Sequence, residues 1–432
     1  MTVLELTTIH KYTPSKKDGV LSWNISSKAK PYQVELLFYA DGKPFNEINR
    51  FAIDLAKRFL SVGQRKTLSV KMMHLKAYGD FLENVNCDWR YFPRNRDESV
   101  LFKFRRHLIS QRDKGIIAPS TANARMNVVI NFYRYAHSKK FIDKKTWEDK
   151  VVKIRFFSEI GFIRTMNAVT TDLSIPYNRV VKATNLEGGL TPLSSTDKKN
   201  LLRVASDNNI HRYMMLQVGF ITGARSETVR TLNKTQLRNA VRCADGYYLV
   251  NVGPGTQIKT KFSKVGQLQF PNDFYKLLLA YSESHMRMSR SLKSKDVDKD
   301  YLFLTKTGKP YSKNTLNKLM CDLRDELIIA GFDNFKSFCF HQTRATAITE
   351  KVLIALEVYG MHDFRGIDQV REFAMHSDER TTWKYFKYVE EQPKKAEAGN
   401  AFINQMFGLE NIKKTLETEC DHVRAYLNDL NT

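Results

Sequence analysis

Residues 371–388, REFAMHSDERTTWKYFKY, decide how the rest of the chain is read. His376 precedes a polar Ser-Asp-Glu-Arg-Thr-Thr run, and Tyr385 follows in a helix-like stretch rich in aromatic and basic residues. A tyrosine phenol can attack a phosphodiester and become covalently joined to it, provided that cations stabilise the charge developing on the phosphate. Two upstream segments supply such groups: ITGARSE with Arg225, and FHQTRATAIT with His341 and Arg344. Arginine suits the task because its planar fork meets two phosphate oxygens at once and keeps its charge near neutrality. His341 stands three residues before Arg344, so on a helix the two share one face.

The order Arg225, His341, Arg344, His376, Tyr385 in a strongly basic chain resembles the tyrosine recombinase (phage integrase-type) family, over residues 46–395. The resemblance implies that Tyr385 is the nucleophile, since it lies nine residues after His376, the family's separation. Tyr388, one helical turn later, is its rival. It implies that Arg225, His341, Arg344 and His376 serve the scissile phosphate. It also implies a β-hairpin lysine as general acid for the leaving 5′ oxygen. The hairpin here offers Lys259, Lys261 and Lys264. Lys259, followed by Thr260, looks most like the family's lysine, and the other two stay open. Three departures stand out. Glu227 falls one place before the family's acidic position, leaving Thr228 there; the segment between Arg344 and His376, with GMHDFRGIDQ, is longer than usual; and Ala374-Met375 replace the usual Leu-Gly.

Composition agrees with a nucleic-acid partner. The 432 residues carry a formal net charge of +23, with Lys and Arg spread along the first 390 residues rather than gathered in one tail. That spread suits folded domains presenting basic surfaces to phosphates. The five cysteines lie far apart without a Cys-x-x-Cys pair, which argues against a disulfide framework or a zinc site. No apolar run approaches the ~20 residues of a membrane span, and the first residues lack the pattern of a secretory signal. A cytoplasmic protein of a bacterial cytoplasm or nucleoid is the expectation.

Along the chain, residues 1–45 suggest an N-terminal extension in which YQVELLFYADGKPF forms a strand, an Asp-Gly turn and a second extended piece. Residues 46–138 show apolar spacing of three and four, giving four helices; Pro119-Ser120-Thr121 caps the last. Lys66, Lys71, Arg105, Arg106 and Arg125 are its candidate DNA contacts, and the segment resembles the family's core-binding domain. Residues 139–190 break the periodicity and suggest a partly ordered linker with short extended pieces. A catalytic domain over 191–395 follows: a helix capped by Ser194 or Ser195, a helix stopped by Gly223, paired strands YYLVNVG and GQLQFP, a helix through LLLAYSESHM, a strand and turn in YLFLTKTGKPYSKN, and a helix in TLNKLMCDLRDELIIAG. Residues 396–432 carry an apolar stripe that fits an amphipathic helix, packed on its own domain or lent to a neighbour.

The expected fold is mainly α with a small β-sheet, an α+β chain whose core-binding and catalytic domains clamp around DNA. The expected function is site-specific DNA recombination for a mobile genetic element, through a 3′-phosphotyrosine and without a cofactor. Double-stranded DNA is the expected partner, with a monomer in free form, a tetramer on paired sites, and DNA-bending proteins as accessories. A type IB topoisomerase-like enzyme and an inactive DNA-binding regulator of the same fold are the alternatives.

Overall fold

The computed structural model describes residues 1–391 except 18–19, 27–30, 59–61, 144, 158–162, 177–185, 187–189 and 361–362. The expected C-terminal helix at 396–432 lies outside the described residues. The chain divides into two compact units, Met1–Val180 and Val181–Thr432. Among the described residues no helix is long and apolar enough to cross a membrane.

In the first unit, helices form where the apolar spacing placed them: α1 (Asn46–Arg58), α2 (Val62–Asn84), α3 (Val100–Asp113) and α4 (Pro119–Ser138). α4 starts on Pro119 with Ala118 as its cap, so a proline suited to the first turn replaces the expected hydroxyl cap. Aromatic side chains fill the centre; Phe45 and Phe132 meet edge to face at 6.2 Å. Four strands precede the helices. β1 (Val3–Ile9) pairs antiparallel with β4 (Tyr32–Phe38), and β2 (Tyr12–Lys17) pairs with β3 (Val20–Ile25). Val34 and Leu37 of β4 enter the helical core. Buried Asn49 of α1 accepts from the Leu37 amide at 2.7 Å and donates to its carbonyl at 2.9 Å, satisfying the edge of β4. The Asp41–Gly42 turn follows β4 as expected, closed by a Phe38–Pro44 bridge.

The segment read as a linker holds a hairpin, β5 (Asp149–Phe157) against β6 (Ile163–Thr171). Its base is tied down: Arg96 pairs with Asp172 and donates to the Thr146 carbonyl at 3.2 Å, while Trp147, Leu173 and Ile175 are buried in the helical core. Of the candidate DNA contacts here, the Lys66 side chain lies outside the described residues, Lys71, Arg105 and Arg125 are half-buried, and Arg106 is exposed. Arg105 also donates to the Ser174 carbonyl at 3.4 Å, so part of its reach serves the fold.

The second unit opens with α5 (Ser195–Asn208), and Ser194 is the cap, its hydroxyl accepting from the Asp197 amide. α6 (Ile210–Thr222) is the central helix, stopped by Gly223. After α7 (Ser226–Thr231) and α8 (Lys234–Arg238) comes a sheet in the order β7 (Val241–Arg242), β8 (Tyr247–Val252), β9 (Gly266–Pro271), all antiparallel. The expected helix through LLLAYSESHM is two, α9 (Asn272–Ser282) and α10 (His285–Leu292), because the Ser284 hydroxyl caps a fresh start. The expected strand in YLFLTKTGKPYSKN is reduced to isolated bridges at Tyr301 and Leu304, although Leu302, Phe303 and Leu304 are wholly buried. α11 (Lys313–Ile329), α12 (His341–Tyr359) and α13 (Phe364–Phe373) follow, and residues 379–391 form a last described helix, α14. The long segment before His376 is therefore α13, begun by the Asp363 side chain. A mainly helical fold with small sheets is the result.

Candidate active site

The site is built around two chain turns and the helix that spans them. The first turn ends α6. Met214, Met215, Leu216 and Val218 are buried, Tyr213, Gln217 and Ile221 are half-buried along one face, and Gly223 ends the helix in a left-handed conformation, φ 61°. A Cβ there would stand 3.2 Å from the Phe373 ring, so both conformation and space favour glycine. Arg225 follows as the cap of α7, extended at ψ 152° and half-buried.

Arg344 lies one turn into α12 and is 1% exposed. A buried guanidinium must find acceptors. Nη1 donates to the Gly223 carbonyl at 2.7 Å and Nη2 to the Ala374 carbonyl at 2.8 Å. One side chain thus joins the end of α6 to the end of α13. His341, the first residue of α12, is half-buried on the same helical face.

The second turn, 374–376, separates α13 from α14. Met375 takes φ 48°, a left-handed conformation unusual for any side chain but glycine. His376 follows, 4% exposed, with Nδ1 at 3.0 Å from the Thr382 hydroxyl. Its ring stacks on that of Tyr385 at 5.9 Å and 27°. Tyr385 is wholly buried, in one apolar cluster with Ile348, Val370 and Phe373. Tyr388 is half-buried, and burial pushes its phenol above the ordinary value.

The three hairpin lysines separate sharply. The Lys259 backbone is pinned to α7: its amide donates to the Thr231 hydroxyl at 2.8 Å, and its carbonyl accepts from Thr228 at 3.0 Å. Thr228, at the family's acidic position, thus holds the hairpin. The Lys259 side chain is exposed, and that of Lys261 is exposed over the Phe262 ring. Left-handed Phe262 and Ser263, φ 61° and 53°, then turn the chain inward. Lys264 is half-buried and donates to the His376 carbonyl at 2.8 Å. Burial, with the charges of Arg371, Arg225 and Arg344, lowers its pKa below the ordinary lysine value.

The hairpin lysine that the geometry brings to His376 is therefore Lys264, where Lys259 was the expected choice. Arg371 was passed over in the sequence. Its signal was its place five residues before His376, and its carbonyl accepts the His376 amide at 3.0 Å. Arg371, Arg225 and Arg344 each act through their charge on the Lys264 ammonium. Such a gathering of cations repels itself and is relieved by an anion.

Residues 192–390 match the family model described as the phage integrase family. No curated protein sequence matches the chain. Among solved structures, it is similar to the XerH site-specific recombinase bound to difH substrate, with 15% identity, coverage of 74% of this chain and 76% of that one, and a TM-score of 0.46. It is similar to the Tn1549 transposon integrase in complex with circular intermediate DNA, with 14% identity, coverage of 73% and 88%, and a TM-score of 0.46. It is also similar to a lambda integrase dimer bound to a core site, with 12% identity, coverage of 79% and 94%, and a TM-score of 0.47. The family match, over just under half of the chain, makes residues 192–390 similar to the phage integrase family.

Proposed function

We propose that this protein cleaves and rejoins DNA strands at specific sites, with Tyr385 as nucleophile and a 3′-phosphotyrosine as intermediate. The observation that carries the reading is the convergence of Arg344, Lys264 and His376 on the turn beside the Tyr385 ring. Arg225, His341 and Arg344 stabilise the negative charge of the five-coordinate phosphorus. His376 orients the phosphate or the phenol and can hold the phenolic proton. Attack of the phenolic oxygen forms a P–O bond to tyrosine and breaks the bond to the 5′ oxygen, which takes a proton from Lys264. A second strand's 5′ hydroxyl reverses the step, so the bond energy is conserved and no cofactor is required.

The depressed pKa of Lys264 suits this role, since a weaker-held proton is transferred more readily to an alkoxide. In the state described, Tyr385 is 0% exposed, so α14 must move for its phenol to meet a phosphate. DNA entry into the cationic site is the natural trigger. Recombination of two duplexes exchanges four strands and calls for four protomers, and a cyclic arrangement links them economically. Integration of a mobile element is the role this chemistry fits.

The experiment uses nicked duplexes, selected from a randomised pool by detergent-stable capture on the wild-type protein. Tyr385→Phe is expected to abolish capture and to bind the same duplexes within about threefold, because one hydroxyl adds little beside many phosphate contacts. Loss of binding together with capture would mark Tyr385 as structural. Capture retained by the variant would move the nucleophile elsewhere.

A further inference from the structure

Met375 stands where local rules ask for glycine. Its φ of 48° is a conformation that costs an ordinary side chain energy, and strain of this kind persists only where the surroundings hold it. Its packing says what holds it. Phe373 and Ala374 belong to the apolar cluster that encloses Tyr385, whereas Met375 belongs to the cluster of Val252, Leu268 and Phe270 on the hairpin strands. One residue thus crosses from the nucleophile's cluster to the hairpin's. The crossing is tight. A Cβ on Gly266, the first residue of β9, would lie 2.4 Å from the Met375 sulfur and 3.0 Å from Cγ. Any side chain at 266 would force the methionine to shift, and Gly266 lies two residues after Lys264.

The turn holds the hairpin twice over: the His376 carbonyl accepts the Lys264 ammonium at 2.8 Å, and the Met375 side chain lies on Gly266. A hydrogen bond from a long, flexible lysine fixes little by itself, and the packing of Met375 in one buried cluster with Val252, Leu268 and Phe270 adds close apolar contact to it. We infer that Met375 is a positioning residue that locks the β8–β9 hairpin against the His376 turn and so places Lys264 to protonate the leaving 5′ oxygen. The inference rests on the proposed strand-cleavage reading. Glycine at 375 would relax the turn and release the hairpin together.

The test compares wild type, Met375→Gly and Met375→Leu in two measurements. The first is amide hydrogen exchange over residues 259–266 of the free protein. Met375→Gly is expected to speed exchange at least tenfold, and Met375→Leu, which keeps the bulk, by less than threefold. The second is the cleavage rate on the captured duplexes with either an oxygen or a sulfur atom at the 5′ bridging position. A thiolate leaves without a proton, so only the oxygen substrate needs the acid. Met375→Gly is expected to slow the oxygen substrate roughly 10- to 100-fold, in line with a misplaced general acid, and the sulfur substrate by less than threefold. Met375→Leu should cleave both at nearly the wild-type rate. Unchanged exchange in Met375→Gly, or equal slowing of the two substrates, would overturn the assignment. Wild-type protein that captures no duplex would instead sink the strand-cleavage reading, and this assignment with it.

Discussion

Arg344 is held by two turns that solve one problem in opposite ways. Both present a carbonyl to the guanidinium, Gly223 at 2.7 Å and Ala374 at 2.8 Å, and both pass through a left-handed residue. At the end of α6 that residue is glycine, which adopts φ 61° without strain and leaves room for Phe373. At the end of α13 it is Met375, whose side chain reaches the hairpin. The glycine turn is relaxed and serves the fold. The methionine turn accepts strain and gains a connection to the hairpin that holds Lys264. Chain geometry alone does not distinguish them; what each residue touches does.

The lysines give the largest expected effect. If the methionine turn presents the acid, Lys264→Ala should slow cleavage of the oxygen substrate by about 100- to 10,000-fold, the usual span for a lost proton donor. Lys259→Ala should slow it by about threefold or less, since that side chain only adds exposed charge to the DNA field. Single-turnover rates on the captured duplexes decide between them, and the reverse order would restore Lys259.

Removing the shared arginine comes next. Arg344→Ala should slow cleavage by roughly 100- to 1,000-fold, the scale for one charge-stabilising donor. It should also lower stability by on the order of 2–4 kcal/mol, because two buried carbonyls lose their donor. Arg344→Lys should recover part of the stability and little of the rate, as one ammonium does not reproduce a rigid fork joining two turns. Urea denaturation beside single-turnover kinetics separates the two losses. A fully active lysine variant would break the picture of a bridging guanidinium.

The pH profile is a finer probe. Lys264 gives up its proton at a lower pH than an ordinary lysine because of burial and the charges of Arg371, Arg225 and Arg344. A general acid works in its protonated form, so cleavage of the oxygen substrate should decline as pH rises through that lowered pKa. The sulfur substrate should show no such decline. Arg371→Gln removes the neighbouring charge that acts most strongly on Lys264, raises its pKa, and should move the decline to higher pH. A profile unmoved by Arg371→Gln would show that the arginine does not act on Lys264.

The smallest effect belongs to the relaxed turn. Gly223→Ala forces a side chain into φ 61° and against Phe373, with an expected loss of about 1–2 kcal/mol. Thermal denaturation should register it, while exchange over residues 259–266 should stay as in wild type. Hairpin loosening in this variant would mean that the two turns are not separate devices.

Much of this architecture is legible in the sequence, for local reasons. Apolar spacing of three and four marks α1 to α4, Ser194 and Gly223 punctuate α5 and α6, and β8 and β9 alternate clearly enough to be paired. β1 was not legible because mostly exposed positions blur its alternation, and β2 and β3 form an exposed ribbon whose two faces lack the contrast of a core strand. Lys264 could not be separated from Lys259, because the separation depends on left-handed Phe262 and Ser263, which no local preference announces. Met375 reads as a departure from pattern until Gly266 is found against it. The candidate site is legible in its residue order, and hidden where a tertiary contact overrides local preference.

The central claim is that Tyr385 is the nucleophile at the meeting of these turns. Wild-type protein captured on nicked duplexes should be digested with trypsin and the nucleotide-bearing peptide sequenced by mass spectrometry. The expected result is a single modified residue, Tyr385. Modification of Tyr388, or of any other residue, would contradict the claim.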